Sequence, residues 1–489
     1  MYRVRETKTG SGKIAVQVVL RRYHRTEVIK HLGSGDEEEE ISRLKILARQ
    51  FIREREKLIP LFSDIGKEES SNLISPKNIE VPNYYHQFAY DYLLKFYRLN
   101  GFNKIKSEIL KDLVLIRVIE PVSKLRSLAL LKEHFGKIYS PSTFYKNIGK
   151  LTEFKEQAEK LAVSYARKHL KFDFSIVFYD VTTLYFETFS DDKFRKYGFS
   201  KDNKSSQPQI LVALVVNSDG YPIAAEIFEG NKFEGHTIIP VVLAFQARNK
   251  IKNLTVVADA AMLSRDNMEE LSRNNLSYIV GARLSSIPNK ILEQVSQCIA
   301  GKQGIYFKLK TDFGYLICDF SELRALKDRT DRKRQILRSQ KQIRDPGKFM
   351  KRSKYVKEIT KSVYEMNEEL IRKNEMLDGI KGYYTNLEGV DSNLIVSRYH
   401  DLWKIEKSFR IAKSDLLARP VFHRKKESIA AHILIVFLAL CVAKSIELKT
   451  NLSIKSVKEK IWRVLDVEIK DKTTGKSFIK RTPAPVLEY

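Results

Sequence analysis

Between residues 172 and 284 the apolar positions fall in short runs bounded by turn residues: FDFSIVFYD, PQILVALVVN and YPIAAEIFEG, then HTIIPVVLAFQARNK, LTVVAD, SRDNMEELSRNN and LSYIVGAR. Short runs rich in Val, Ile, Tyr and Phe predict strands, and the longer segments with three-to-four spacing predict helices. Asp219-Gly220, between the second and third runs, marks a tight turn, so the first three strands form an antiparallel meander. The order is three strands, helix, strand, helix, strand.

The flanks read differently. Residues 1–95 form a strand/helix region: KIAVQVVL is strand-like, and SGDEEEEISRLKILARQFIRERE starts acidic and ends basic, as a helix dipole favours. Residues 96–165 are helical, with two segments broken at Pro121 and a third, SPSTFYKNIGKLTEF, capped by Ser140 or Ser142. These helices suit either a packed bundle or a helix-turn-helix that binds DNA. Residues 166–284 are the first part of a core, and 285–376 are an insertion that alternates through IYFKLKTDFGYLICDF before a strongly basic run. Such a run is a solvated helix or a nucleic-acid surface. The core resumes over 377–450, beginning at DGIKGYYTNL, and 451–489 form a C-terminal region.

Within 399–416, Leu402, Ile405, Phe409, Ala412 and Leu416 recur at helical spacing and predict one helix with an apolar face. Tyr399, Trp403, Glu406, Arg410 and Lys413 form a second stripe beside it. The apolar run IAAHILIVFLALCVA from Ile429 falls short of the ~20 residues that span a bilayer and reads as a buried helix; no membrane is expected.

Charge changes the picture. Lysine and arginine exceed aspartate and glutamate by 87 − 60 = 27, while 43% of the residues are hydrophobic, so this is a folded basic protein and not a disordered tail. A polyanion is the expected partner, and charge alone does not separate DNA from RNA or an anionic membrane surface. Cys298, Cys318 and Cys441 form no CxxC pair and the histidines form no HExxH, which argues against a disulfide framework and a zinc site. With no apolar leader in MYRVRETKTG, a cytoplasmic, nucleoid-associated location is expected.

Three antiparallel strands followed by alternating helix and strand is the order of a ribonuclease-H-like domain, in which strands one and four are adjacent. The expected fold is therefore α/β: a ribonuclease-H-like mixed sheet with flanking helices, interrupted by an insertion and preceded by helical DNA-binding regions. Asp180 ends the first strand and Asp259 the fourth in this reading. Taken singly each is an ordinary turn or capping residue; side by side they repel unless cations neutralise them. Glu406 is the candidate third ligand, against the simpler reading of a solvated Glu406–Arg410 pair. Three carboxylates holding two divalent metals suit in-line phosphoryl transfer, with Arg410 and Lys413 as phosphate clamps and Tyr399 and Trp403 as stacking platforms.

The stretches YDVTTLYFE, VVADAAMLS, GYYTNL and LWKIEKSFRIAKSDLLARP together resemble the DDE transposases of bacterial insertion sequences, in particular the group marked by Y-x2-R-x3-E-x6-K. Here the signature reads Tyr399, Leu402 in place of arginine, Glu406 and Lys413, and Arg398, one helical turn away, is the preferred substitute for the missing cation. The resemblance spans residues 85 to 445. It implies a catalytic, metal-binding triad of Asp180, Asp259 and Glu406, and two Mg²⁺ ions replaceable by Mn²⁺. It further implies terminal inverted repeats and target DNA as double-stranded partners, and a homodimer on DNA. The implied reaction is cleavage at transposon ends and strand transfer. A metal-dependent nuclease without strand transfer, and a non-catalytic DNA-binding protein from a degenerate element copy, remain as alternatives.

Overall fold

The computed structural model describes residues 2–22, 25–55, 79–262, 264–345, 347, 352–360, 363–472 and 477–483. These described residues form two compact units, one drawn from the stretches up to residue 92, 130–137 and from 457 onward, the other from 93–129 and 138–456.

The first unit opens with an antiparallel meander of β1 (Tyr2–Lys8), β2 (Ile14–Arg22) and β3 (Arg25–Gly35). Helix α1 (Glu38–Arg55) covers one face, packing Ile41, Leu44 and Ala48 against Val16 and Val18. Three glutamates occupy its first turn, where the helix dipole favours negative charge. Strand β4 (Ile79–Tyr85) and helix α2 (Gln87–Leu99) follow.

Helix α3 (Glu108–Ile119) starts at Ser107, whose hydroxyl accepts from Leu110 N. It stops before Pro121, which cannot continue a helix, and α4 (Lys124–Phe135) begins afresh. Ser140 accepts from Thr143 N and Pro141 takes the first position of α5 (Pro141–Asn147), a pairing that suits a helix start. Helix α6 (Lys155–His169) leads into the sheet.

Strands β5 (Ile176–Tyr185), β6 (Gln209–Val216) and β7 (Pro222–Glu229) run antiparallel. After α7 (Ile238–Asn249), β8 (Thr255–Ala258) lies parallel to β5; after α8 (Arg265–Arg273), capped by Ser264, β9 (Ser277–Ala282) lies parallel to β8. The order β7-β6-β5-β8-β9 is the ribonuclease-H-like arrangement. All eight residues of β6 and all four of β8 are buried, as interior strands of a covered sheet require.

The sheet extends further than the sequence reading allowed. Beyond α9 (Asn289–Ile299), β10 (Tyr306–Thr311) and β11 (Gly314–Phe320) form a hairpin, and after α10 (Glu322–Arg344), the pair β12 (Val356–Thr360) and β13 (Val363–Met366), and α11 (Glu368–Met376), strand β14 (Ile380–Thr385) returns between β9 and β11. The result is an eight-stranded mixed sheet in the order β10-β11-β14-β9-β8-β5-β6-β7. The hairpin at 306–320, read from sequence as insertion, therefore belongs to this sheet, its Leu316 and Cys318 packing into a cluster with Leu292 and Val295.

The stretch 399–416, expected as one helix, is broken. It comprises the end of α12 (Ser392–His400), α13 (Trp403–Arg410) and a π-turn over Ile411–Asp415. The apolar positions Leu402, Ile405, Phe409, Ala412 and Leu416 are nevertheless all buried. Helix α14 (Lys426–Thr450) is longer than the apolar run suggested, and by length and composition it is capable of crossing a bilayer. In the fold 94% of its most apolar window is buried, and it serves as a core helix against α3 and β7. Helix α15 (Ile454–Trp462) precedes β15 (Asp466–Asp471) and β16 (Ser477–Arg481), which pair in the order β16-β15-β4 in the first unit.

Candidate active site

Asp180 and Asp259 are brought together by strand register. The parallel pairing of β5 with β8 ends at Tyr179 opposite Ala258, so the next residues along the two chains are the two aspartates. Neighbouring strands lie about 4.8 Å apart, which places both carboxylates at one point on the sheet. Asp180 does not end its strand, as the sequence suggested. Strand β5 runs on to Tyr185 because its antiparallel partner β6 continues to Gln209, while its parallel partner β8 stops at Ala258.

Asp180 is 20% exposed, and its Oδ1 accepts from Val181 N at 2.7 Å. Burial pushes its pKa up to about 6, with Glu234 and Asp259 adding repulsion and Lys201 opposing it. Asp259 Oδ1 accepts from Ala260 N at 2.7 Å and from the Tyr399 hydroxyl at 3.1 Å.

Two lysines face these acids. Lys201 Nζ donates to Val181 O at 2.5 Å and lies 3.2 Å from Glu234 Oε1 and 3.8 Å from Asp180 Oδ1, tying the two carboxylates together. Lys381 Nζ sits 4.6 Å over the Tyr399 ring. Burial and Arg324 lower its pKa, while Asp259, Asp319 and Glu406 pull the other way, so all three acids act on one ammonium. Burial, then Asp259, raises the Tyr399 phenol, with Glu406 and Asp180 adding smaller contributions. The phenol stays protonated and donates to Asp259.

Gly281 makes room for that hydrogen bond. A Cβ on this β9 residue would lie 2.5 Å from the Tyr399 hydroxyl and 3.1 Å from Ala260 Cβ. Gly220 plays the corresponding part under α13: at φ +73, it turns the β6–β7 hairpin so that its carbonyl accepts from the Ser408 hydroxyl at 2.7 Å. A side chain there would meet Lys404 O at 3.0 Å. The turn chemistry seen in the sequence thus seats the helix that carries Glu406.

Glu406 lies in the first turn of α13, with its side chain exposed. The Glu406–Arg410 pair of the simpler reading does not form; among the described residues Glu406 makes no hydrogen bond or ion pair. Trp403 is 54% exposed and Arg410 is exposed beside it. Tyr399 leaves the stripe because of the helix break: it is buried against Tyr383, with ring centroids 4.7 Å apart. Lys413 is half-buried, 3.4 Å from Asp202, which Arg419 also holds. Leu402 is buried at the start of α13, where an apolar side chain suits its surroundings. Arg398 sits on α12 and acts on Asp173, ahead of β5, whose carboxyl is lowered first by Ser175.

The donor chemistry suits a hard divalent ion: Asp180 and Asp259 supply carboxylate oxygens at one point, and Glu234 and Glu406 approach through the shared lysines. Among the described residues, no three His, Cys, Asp or Glu side chains stand close enough to hold a metal together. The aspartate pair fits such an ion, and Glu406 stands outside any three-ligand group. Lys201, Glu234, Lys381 and Gly281 escaped the sequence reading. Lys201 lies in a turn and Glu234 in a single 3-10 turn, Glu234–His236, neither with any periodicity, although Lys381 stood within the quoted strand at 380–385 and period-two alternation could have marked it.

A mixed sheet of this order, with one aspartate on β5 and another just past the end of β8, is a ribonuclease-H-like fold. The family profile described as Transposase DDE domain matches residues 171–442, more than half of the chain, and the protein belongs to that family. No curated protein matches the sequence. Among solved structures it is similar to the piggyBac transposase synaptic complex with hairpin DNA, at 10% identity over 76% of this chain and 79% of that one, with a TM-score of 0.38. It is also similar to the Mos1 transposase paired-end complex and the Mos1 strand transfer complex, each at 14% identity over 50% of this chain and 78% of that one, with a TM-score of 0.16.

Proposed function

We propose that this transposase cuts DNA at the ends of a bacterial insertion sequence and joins the resulting 3′-hydroxyl to target DNA, with Asp180, Asp259 and Glu406 as one catalytic, metal-binding triad. The observation that supports this most is the register of β5 against β8, which sets Asp180 beside Asp259 on the sheet that α13 packs against. Two Mg²⁺ ions, or Mn²⁺ in their place, would activate the attacking oxygen and stabilise the leaving one.

The chain's own groups set the stage for that chemistry. Tyr399 orients Asp259 by donating to Oδ1, which leaves Oδ2 free as a ligand. Lys201 bridges Asp180 and Glu234 and so offsets part of their mutual repulsion, a role that a divalent cation would take over. Exposed Trp403 and Arg410, on the helix that carries Glu406, meet the DNA by stacking and by a phosphate contact. Lys413 and Arg419 share a single carboxylate, Asp202, leaving one positive charge over for a phosphate. Arg398 serves as a backbone contact, the whole acts as a homodimer on paired inverted repeats, and the site of action is the cytoplasmic nucleoid.

The test uses the full chain, Mg²⁺, and the DNA flanking its coding sequence, with gel-resolved nicking and joining as readouts. Cleavage at short inverted repeats followed by joining to a target supports the reading. Asp180→Asn, Asp259→Asn and Glu406→Gln each lose at least a hundredfold in cleavage while keeping DNA affinity, because each removes a ligand and not a phosphate contact. Nicking without joining makes the protein a nuclease, and binding without any metal-dependent nicking makes it a regulator.

A further inference from the structure

A cavity of about 350 Å³ lies beside the segment that follows α13, with Arg117, Lys124, His423 and His432 in its wall. Arg117, Lys124 and His432 are each only 4% exposed. Lys124 Nζ is 3.1 Å from His432 Nδ1, and His432 Nε2 is 3.0 Å from Ala418 O. Nε2 must donate to the carbonyl, so Nδ1 accepts from the lysine and the imidazole is neutral. Arg117 Nη1 reaches only the carbonyls of Leu416 and Leu417, at 3.4 and 3.5 Å.

Among the described residues no carboxylate pairs with Arg117 or Lys124. Burial lowers the pKa of both, and Arg117 lowers Lys124 further. Burial and then these two cations lower His423, to about 4, and His432. Buried cations without a counter-charge are expensive, and strongly perturbed groups that line a cleft are candidates for a functional site. Lys124 also opens α4, whose first turn adds the positive end of a helix dipole to the same wall. Exposed Tyr145 and Phe422 line the mouth and offer flat faces for stacking. The volume is at the small end of ligand pockets, which begin near ~300 Å³, and exceeds what a bare phosphate needs.

We propose that this cavity is a nucleotide phosphate site, in which Lys124 and Arg117 neutralise a phosphate group and Phe422 and Tyr145 stack on the attached base. The phosphate comes either from a DNA strand end or from a free nucleotide or inorganic phosphate; the strand as source rests on the transposase reading above.

The experiment is calorimetric titration of the full chain without divalent metal. The probes are inorganic phosphate, a short 5′-phosphorylated single-stranded oligonucleotide, and its dephosphorylated twin. Losing one charge-assisted contact weakens binding roughly tenfold to a hundredfold, so the phosphorylated strand binds at least tenfold tighter than its twin, and Lys124→Met erases the difference. Phe422→Ala, at an exposed position that leaves the fold intact, weakens the oligonucleotide and not inorganic phosphate. A response to inorganic phosphate alone keeps the phosphate group and overturns the strand as its source. Equal affinity for both oligonucleotides with no response to phosphate overturns the proposal. Cleavage is not read, so a failure of strand transfer elsewhere leaves this result standing.

Discussion

Replacing Gly281 with alanine tests whether the Tyr399–Asp259 hydrogen bond organises the site. The new methyl would stand 2.5 Å from the Tyr399 hydroxyl and 3.1 Å from Ala260 Cβ. Tyr399 is buried and packed on Tyr383, so it cannot swing away freely. Overpacking of this kind costs about 1–3 kcal/mol, and a displaced hydroxyl adds about 1 kcal/mol or more for the lost bond to an ionised acid. Together the two terms put Gly281→Ala at about 2–4 kcal/mol. Tyr399→Phe removes the atom that the methyl strikes, leaving only the milder contact with Ala260. In that background the same alanine costs about 1 kcal/mol, so a double-mutant cycle yields a coupling of about 1–3 kcal/mol. The assay is scanning calorimetry of the four proteins, reading the transition that contains the sheet. Costs that simply add, within about 0.5 kcal/mol, or a Gly281→Ala protein as stable as its parent, refute the argument.

Two further outcomes follow. In the first unit His86 stacks on Trp462 at 3.6 Å, and burial, then His134, lowers its pKa from 6.5 to about 4. The folded state refuses a proton that the unfolded chain accepts, so this contribution is whole above pH 6.5 and disappears as pH falls towards 4; discounted for solvent screening, it amounts to about 2 kcal/mol. Denaturation followed by Trp462 fluorescence, in a Trp403→Phe background that leaves it the sole tryptophan, should show that loss, and a flat profile over pH 7.5 to 4 would remove His86 from the account. Lys413→Ala should flatten the slope of log affinity against log salt by about 0.9, the value for one phosphate on duplex DNA; an unchanged slope makes Lys413 only a counter-ion of Asp202.

The sequence carried the sheet order because strand runs, a Gly turn and intervening helices leave few topologies. The likeness of that order to a ribonuclease-H-like domain also anticipated that Asp180 and Asp259 would lie at neighbouring strand ends, as the β5–β8 register has them. Periodicity found the buried face of 402–416, yet missed the break before Trp403, because an i+3, i+4 pattern survives a turn that keeps the apolar side inward. Tyr399 consequently moved from an exposed stripe to a buried support for Asp259. Lys201, Glu234 and Lys381 were not legible as site residues: their positions depend on loops and on cross-sheet neighbours that no local pattern encodes. The edge hairpin at 306–320 went unread as part of the sheet because its partner, β14, lies some sixty residues further along the chain.

The claim that Asp180, Asp259 and Glu406 act as one metal site is tested most directly by counting bound Mn²⁺ with electron paramagnetic resonance, with and without a duplex carrying the element's terminal repeat. In the wild type, the DNA should raise Mn²⁺ affinity; Glu406→Gln should lower it at least tenfold with DNA present and hardly at all without it, since Glu406 stands outside any three-ligand cluster in the free protein and the proposal has DNA complete that cluster. Identical Mn²⁺ binding by wild type and Glu406→Gln on DNA would contradict the account and leave the aspartate pair without its third partner.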